Sequence, residues 1–385
     1  MTSLWGTWMR GGTSKCWLFN AVDVDPLLRN IDLDAVLIAA FGSEDPRQLD
    51  GVGGGTSTTS KAAIVRRSRL DYVDVDYLFA QVAIGRRAVE WGSNCGNCAT
   101  AIGLYALQTG MVAAAPEMTV VRMRNQNTGA RLSARIATPG GIIPADGDAA
   151  VPGTNARGVP VSLTFTDVAA NPDNVLPTGS VTDVIDVGGH RYRGTFVNAG
   201  APAALFRAAD FDLTGVEGND QLAERLPVLI ELRRKAALAM GLAKPGDPVQ
   251  HAVPKVGIIG AARDYVATDG MFIPAEAYDV AVRMVSMLAP HPAIGLTSAV
   301  AVSTAAAVRG SVVAEQLSGH LSGHAGTTLR LGTAAGIIPA TVTTTDIGLP
   351  RDVSLHRAAR RIARAELFLA ESTPDYAMSA QRPNH

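Results

Sequence analysis

The chain is short of most features that would assign it at a glance. It carries 3 cysteines in 385 residues, too few for the disulfide framework of a secreted scaffold, and reduced thiols in a cytoplasmic setting fit better. Neither sign of charge is in excess. The formal net charge is −1, so there is no basic footprint for nucleic acid or an anionic membrane. Long apolar runs are missing too, because Gly, Ser, Thr or charge interrupts each one before the ~20 residues a membrane span needs. The opening "MTSLWGTWMRGGTSK" lacks the charged, then continuously apolar, layout of a signal peptide. A soluble cytoplasmic protein is the expectation.

What is plentiful is glycine, 39 residues of it, with Val, Ile and Thr in short runs. That composition reads as strands joined by turns, in a chain long enough for two to three domains. Helices are the minority, predicted over 97–109, 220–242, 275–288, 293–308 and 355–364. Within 220–242, Leu222, Leu226, Leu229 and Ile230 fall at helical spacing. Pro227 should either bend that helix or mark an early first turn.

Two copies of one plan are visible. "WGTWMRGGTSKCWLFNAVDVD" (5–25) pairs with "RGTFVNAGAPAALFRAADFDL" (193–213), matching Gly6-Thr7 to Gly194-Thr195 and Gly12 to Gly200. The pentamer Gly-Ile-Ile-Pro-Ala recurs at 141–145 and 336–340. Each half also has a Gly-punctuated turn leading into a small-residue helix, "SNCGNCATAIGLYAL" and "PHPAIGLTSAVAVSTAAAV". The implied architecture is a duplicated lobe of strands around one central helix. Facing lobes would leave a cleft, with the two helix N-termini as natural sites for an anion.

Several stretches carry chemistry. "MRGGTSKCWLF" (9–19) reads as strand, Gly-Gly turn and strand. Its turn N–H groups, with Thr13, Ser14 and Arg10, can hold a carboxylate, and an ordinary hairpin turn reads equally well. "LDGVGGGTSTTSKAAIV" (49–65) is the most glycine-dense stretch. It is not a P-loop, since Lys61 follows Ser60 rather than Gly, nor a dinucleotide fingerprint, since the pattern read from Gly51 ends on Thr56. It reads as a polar loop delivering Lys61 to the mouth of an apolar strand, where desolvation lowers a lysine's pKa towards that of a working base. A solvated lysine is the plainer alternative.

The pair Cys95 and Cys98 has the spacing of a redox motif and of half a zinc site. The surroundings show no thioredoxin-like βαβ pattern, and Cys16 stands alone with no second C-x-x-C to complete a metal site. A third reading uses Cys95 alone as a proton carrier at a helix start shaped by Asn94, Gly96 and Asn97, with Cys98 packed in the core. His320 and His324 lie four apart, in a segment too rich in Gly and Ser for a metal-binding helix. In the second half, His291 precedes the central helix, Thr297 and Ser298 lie in its first turn, and Lys255 opens an apolar strand. These are candidate binding residues.

"MRGGTSK", "DGVGGGTSTTSKAAIV", "SNCGN", "NTG" (127–129) and "VTDVIDVGG" followed by "VNAGAPAALF" occur in that order. In this the sequence resembles the 2-methylaconitate cis–trans isomerase family, which includes 4-oxalomesaconate tautomerase, methylitaconate isomerase and aconitate isomerases. The resemblance covers most of the chain. It implies an α+β, diaminopimelate-epimerase-like fold of two pseudo-symmetric lobes, each a mostly antiparallel barrel-like sheet around a central helix. The lobes would be 1–180 and 181–364, with a strand at about 365–385 returning to the first. It implies Lys61 and Cys95 as the catalytic pair; the candidate substrate-binding residues are Arg10, Thr13, Ser14 and Ser60, the helix start at Asn94, Gly96 and Asn97, and Lys255, His291, Thr297 and Ser298. No cofactor or metal is called for, and a homodimer is the expected assembly.

The expected activity is an allylic proton shift or cis–trans isomerisation of an unsaturated di- or tricarboxylate. An α-carbon racemase or epimerase of the same fold, and a non-catalytic carboxylate-binding relative, are the alternatives. The second-lobe counterpart of Cys95 falls near Gly295, so the two-thiol racemase arrangement is incomplete. "GLTSAV" (295–300) and "LGTAAG" (331–336) depart from the family's Thr-Gly and Gly-His-Pro-Ser-Gly patterns, where the distal part of a substrate would be held.

Overall fold

A computed structural model describes residues 2–92, 95–152, 154–168, 175–317, 326–345 and 350–369. The principal strands are β1 (Thr2–Gly11), β2 (Ser14–Asn20), β3 (Lys61–Arg67), β4 (Val75–Val82), β5 (Met118–Asn125), β6 (Arg131–Ala137) and β7 (Arg157–Phe165). They continue as β8 (His190–Ala199), β9 (Ala201–Arg207), β10 (Lys255–Ala261), β11 (Val280–Ser286), β12 (Thr327–Thr333), β13 (Gly336–Thr344) and β14 (Pro350–Leu369). The longer helices are α1 (Leu33–Phe41), α2 (Gly96–Gln108), α3 (Leu226–Ala239) and α4 (Leu296–Ala307). Among the described residues no helix is long and apolar enough to cross a membrane. The chain divides into two compact units. The first holds the chain up to Ala149, Arg157–Val161 and everything from Arg357 on; the second holds Ala150–Ala156 and Ser162–His356.

In the first unit eight strands close on themselves. β1 pairs antiparallel with β2, β2 parallel with β3, β3 antiparallel with β4, β4 parallel with β5, and β5 antiparallel with β6. β7 bridges β6 to β14, and β14 returns antiparallel to β1, with Thr2 opposite Leu369. The closed barrel is filled by α2, whose residues Gly96 to Leu107 are all buried. A helix apolar on every side has no solvent face, and here Ala, Gly and Thr keep it slim enough to fit. Ile102, Leu104 and Leu107 are fully buried, each contributing about 1.5–3 kcal/mol. A Cβ on Gly103 would fall 2.4 Å from that of Ala134, so any larger residue there would push α2 off the wall.

The second unit repeats the order of pairings: β8/β9 antiparallel, β9/β10 parallel, β10/β11 antiparallel, β11/β12 parallel and β12/β13 antiparallel. The N-terminal half of β14 adds to β13, and α4 is buried from Leu296 to Ala306. On the outside, α3 lays Leu229, Leu232 and Ala236 on Phe206, Val256 and Ile258. This duplicated, α+β architecture is the diaminopimelate-epimerase-like fold that the sequence implied.

The repeats are borne out unequally. Gly12 and Gly200 both turn a hairpin at positive φ, 50° and 69°, against the first turn of their central helix. Added Cβ atoms would lie 2.2 Å from Asn97 Oδ1 and 2.9 Å from Val300 Cβ respectively, so each position needs glycine for space as well as for φ. The two Gly-Ile-Ile-Pro-Ala copies are not equivalent. Gly141 ends a turn after β6 and Ile142 is exposed, whereas the second copy forms the start of β13, the counterpart of β6 itself.

Two of the expected helices are strands. Residues 275–288 hold one helical turn at Ala275–Ala277 and then β11, buried along nearly its whole length; a strand buried on both faces gives an unbroken apolar run that mimics a helix. Residues 355–364 lie within β14. Their Ala and Arg favour helix, but ladders to β13 and β1 override that preference. The 220–242 helix is split into Asn219–Ala223 and α3, with Pro227 in the first turn of the second piece.

Candidate active site

Lys61 is the first residue of β3 and is 8% exposed. It faces Gln81 across the β3/β4 ladder, and its Nζ donates to Gln81 Oε1. Gln81 Nε2 in turn donates to the Ser60 carbonyl at 3.0 Å. The Phe79 ring lies 5.4 Å from Nζ. Ser60 Oγ donates to Gln48 Oε1 at 2.6 Å, and Gln48 also takes the Gly55 N–H and donates to the Ala83 carbonyl. The glycine-rich loop is therefore pinned from inside, and it presents Lys61 at a fixed place.

Cys95 is the half-buried N-cap of α2, one position before Gly96. The Cys98 thiol neighbours it, and the Cys16 thiol on β2 neighbours Cys98 in turn. Cys98, first, and burial push the Cys95 thiol well above its ordinary range, while the charge of Lys61 pulls it down. Burial, first, and Cys16 push Cys98 up as well. A thiol so placed is a proton donor rather than a standing thiolate.

Asn97, 2% exposed in the first turn of α2, donates from Nδ2 to Thr13 Oγ1 at 3.0 Å and Ser14 Oγ at 3.4 Å. The hairpin turn and the helix start are thereby tied together, with Ser14 buried. Arg10 behaves differently. Its guanidinium donates to the carbonyls of Gly12 (3.1 Å), Ala358 (3.4 Å) and Arg157 (2.7 Å), which clamps β1 to β14 and β7. Burial and the nearby Arg360 lower its pKa. Asn94 lies outside the described residues, as do His320 and His324.

The second unit assembles its own group. Gly295 caps α4 as Cys95 caps α2. Ser298 Oγ and His291 Nε2 lie 3.6 and 4.0 Å from where its Cβ would be. His291, Thr297 and Ser298 are all buried, and His291 Nδ1 accepts from the Ala293 N–H at 3.0 Å. Lys255 Nζ donates to the Ala252 carbonyl at 2.6 Å. Among the described residues no three His, Cys, Asp or Glu side chains are grouped to hold a metal.

Sequence reasoning missed Gln81, Gln48 and the role of Cys98 and Cys16. For Gln81 a signal existed, a polar residue alternating into the apolar run "YLFAQV", since buried amides are kept for a partner. The approach of Cys16 to Cys98 had none, because the two are 82 positions apart and only the β2/α2 packing joins them.

Residues 1–370 match the family model described as PrpF protein. The chain is 36% identical to a 2-methyl-aconitate isomerase of Shewanella oneidensis, over 86% of this chain and 89% of that one. Among solved structures, methylitaconate-delta-isomerase superposes with a TM-score of 0.77 at 31% identity, covering 97% of this chain and 99% of its own. A probable proline racemase from Agrobacterium radiobacter, 12% identical, shares the fold with a TM-score of 0.58 over 96% of this chain and 94% of that one.

Proposed function

The chain belongs to the PrpF protein family, and from that premise we propose that it is a cytoplasmic, cofactor-independent isomerase of an unsaturated di- or tricarboxylate. The substrate is of the 2-methylaconitate, methylitaconate, aconitate or 4-oxalomesaconate type. What supports the reading is the family match over residues 1–370, with Lys61 held by Gln81 at the start of β3 and Cys95 at the cap of α2.

In the proposed reaction Lys61, as the amine, takes a proton from the carbon next to a carboxylate or vinylogous to it. The electron pair left behind spreads into a dienolate, which Ser14, Thr13, Asn97 and the N–H groups at the start of α2 stabilise. Cys95 then delivers its proton to the far carbon of the allyl unit, or to the same carbon after rotation. The double bond moves or changes geometry, and the Lys61 ammonium returns its proton to the Cys95 thiolate. Atoms and charge balance without an external acid, base or oxidant.

The racemase alternative gains nothing from the second unit, where Gly295 occupies the cap position that a second thiol would need. Incubation with 2-methylaconitate, methylitaconate, aconitate and 4-oxalomesaconate, followed by proton NMR, tests the proposal. Double-bond movement or cis–trans conversion in at least one of them is expected. Deuterium exchange at an α-carbon with no change in the double bond would favour the racemase instead.

A further inference from the structure

We propose that the first unit holds a second ligand site, at the end of α2 remote from Cys95, for a small dicarboxylate that also carries a hydroxyl or an ammonium group. A cavity of about 330 Å³ opens there, within the size range of small-molecule sites. Trp5, Asp23, Tyr105, Gln108, Arg361 and Arg364 line it, and its whole lining belongs to the first unit. Gln108 is the last residue of α2 and Cys95 its N-cap, so the two lie about 20 Å apart along the helix.

The two arginines share a face because β14 is irregular. Side chains three apart on a regular strand point to opposite sides. Here the pairing with β1 steps from Trp8–Ala363 to Met9–Arg361, which leaves Ile362 as an extra residue. Such a bulge re-aims the side chains beyond it, and Arg361 joins Arg364 at the cavity. The Arg364 guanidinium lies 5.2 Å from the Trp5 ring. Among the described residues neither arginine side chain makes a hydrogen bond or an ion pair.

Tyr105 is 4% exposed, and among the described residues its hydroxyl likewise has no partner. A buried polar group left open calls for a partner the chain does not supply. Burial, first, and the charge of Asp23 push its pKa up to about 12, against the pull of Arg364, so at neutral pH it is a donor. Two guanidinium forks and a phenol donor suit carboxylates. Asp23, in the single-turn helix Ala21–Val24, only accepts and would repel a bare dianion. A hydroxyl or ammonium on the ligand removes that cost. Cations at a helix C-terminus also offset its dipole, which accounts for the arginines but not for the open hydroxyl.

Isothermal titration calorimetry on the whole chain tests this, with L-malate, L-aspartate, succinate and inorganic phosphate as probes. L-malate or L-aspartate is expected to bind at least about 10-fold more tightly than succinate, and the tighter of the two tells hydroxyl from ammonium. Replacing both arginines, Arg361→Gln with Arg364→Gln, should raise that Kd by about 10- to 100-fold. Tyr105→Phe should raise it by up to about 10-fold, and Asp23→Asn should narrow the preference over succinate. In the double variant the Kd of tricarballylate, a saturated tricarboxylate for the Lys61 site, should stay at its wild-type value. Both arginines are exposed, so the double variant decides if Tyr105→Phe does not fold. A Kd for L-malate and L-aspartate untouched by the double variant overturns the proposal, because the ligand then sits elsewhere. So does succinate or phosphate binding as tightly as they do, which marks an adventitious ion only, and so does the absence of binding by both.

Discussion

Gln81 holds Lys61: the two stand opposite each other in the β3/β4 ladder, and the lysine Nζ donates to the glutamine Oε1. The amide's other end is tied to the Ser60 carbonyl, so the lysine is fixed by a group that is itself fixed. Replacing Gln81 by Leu is expected to leave the barrel folded and KM nearly unchanged. kcat should fall by up to about 100-fold as the base drifts from its place. Steady-state kinetics on the isomerised substrate check this, and an unaltered kcat would remove Gln81 from the account.

Cys98 is the foremost cause that raises the Cys95 thiol, ahead of burial, so in the wild type the donor form should persist well above the ordinary thiol range and the alkaline fall in activity should come there. In Cys98→Ala that support is lost and the Cys95 pKa drops, so the alkaline fall begins at lower pH. Iodoacetamide should then label Cys95 faster at pH 8 than in the wild type. Equal alkylation rates, read by mass spectrometry, would contradict this role of Cys98.

Gly12 is demanded twice over. Gly12→Ala places a side chain at a φ of 50° and 2.2 Å from Asn97 Oδ1. A destabilisation of about 2–4 kcal/mol is expected, together with loss of activity as the helix start shifts. Urea denaturation measures the first effect.

The duplicated plan was legible because its carriers are local. The Gly12 and Gly200 turns and the slim helices behind Cys95 and Gly295 each leave a short signature. Lys61 at a strand mouth was legible in the same way. What escaped depends on contacts between distant segments. Cys16 comes beside Cys98 only through packing, Arg10 reaches the Arg157 and Ala358 carbonyls only because β7 and β14 return beside β1, and the Ala- and Arg-rich start of that return looks helical until its ladder partners are known. The Gly-Ile-Ile-Pro-Ala repeat failed for a related reason. An identical pentamer carries no record of which strand precedes it.

The central claim is that Lys61 moves the proton. The most direct measurement is proton NMR in heavy water, comparing wild type with Lys61→Ala on the substrate that is isomerised. The wild type should exchange the allylic proton and move or rotate the double bond, whereas Lys61→Ala should do neither while still binding tricarballylate. Isomerisation by Lys61→Ala at the wild-type rate would contradict the account.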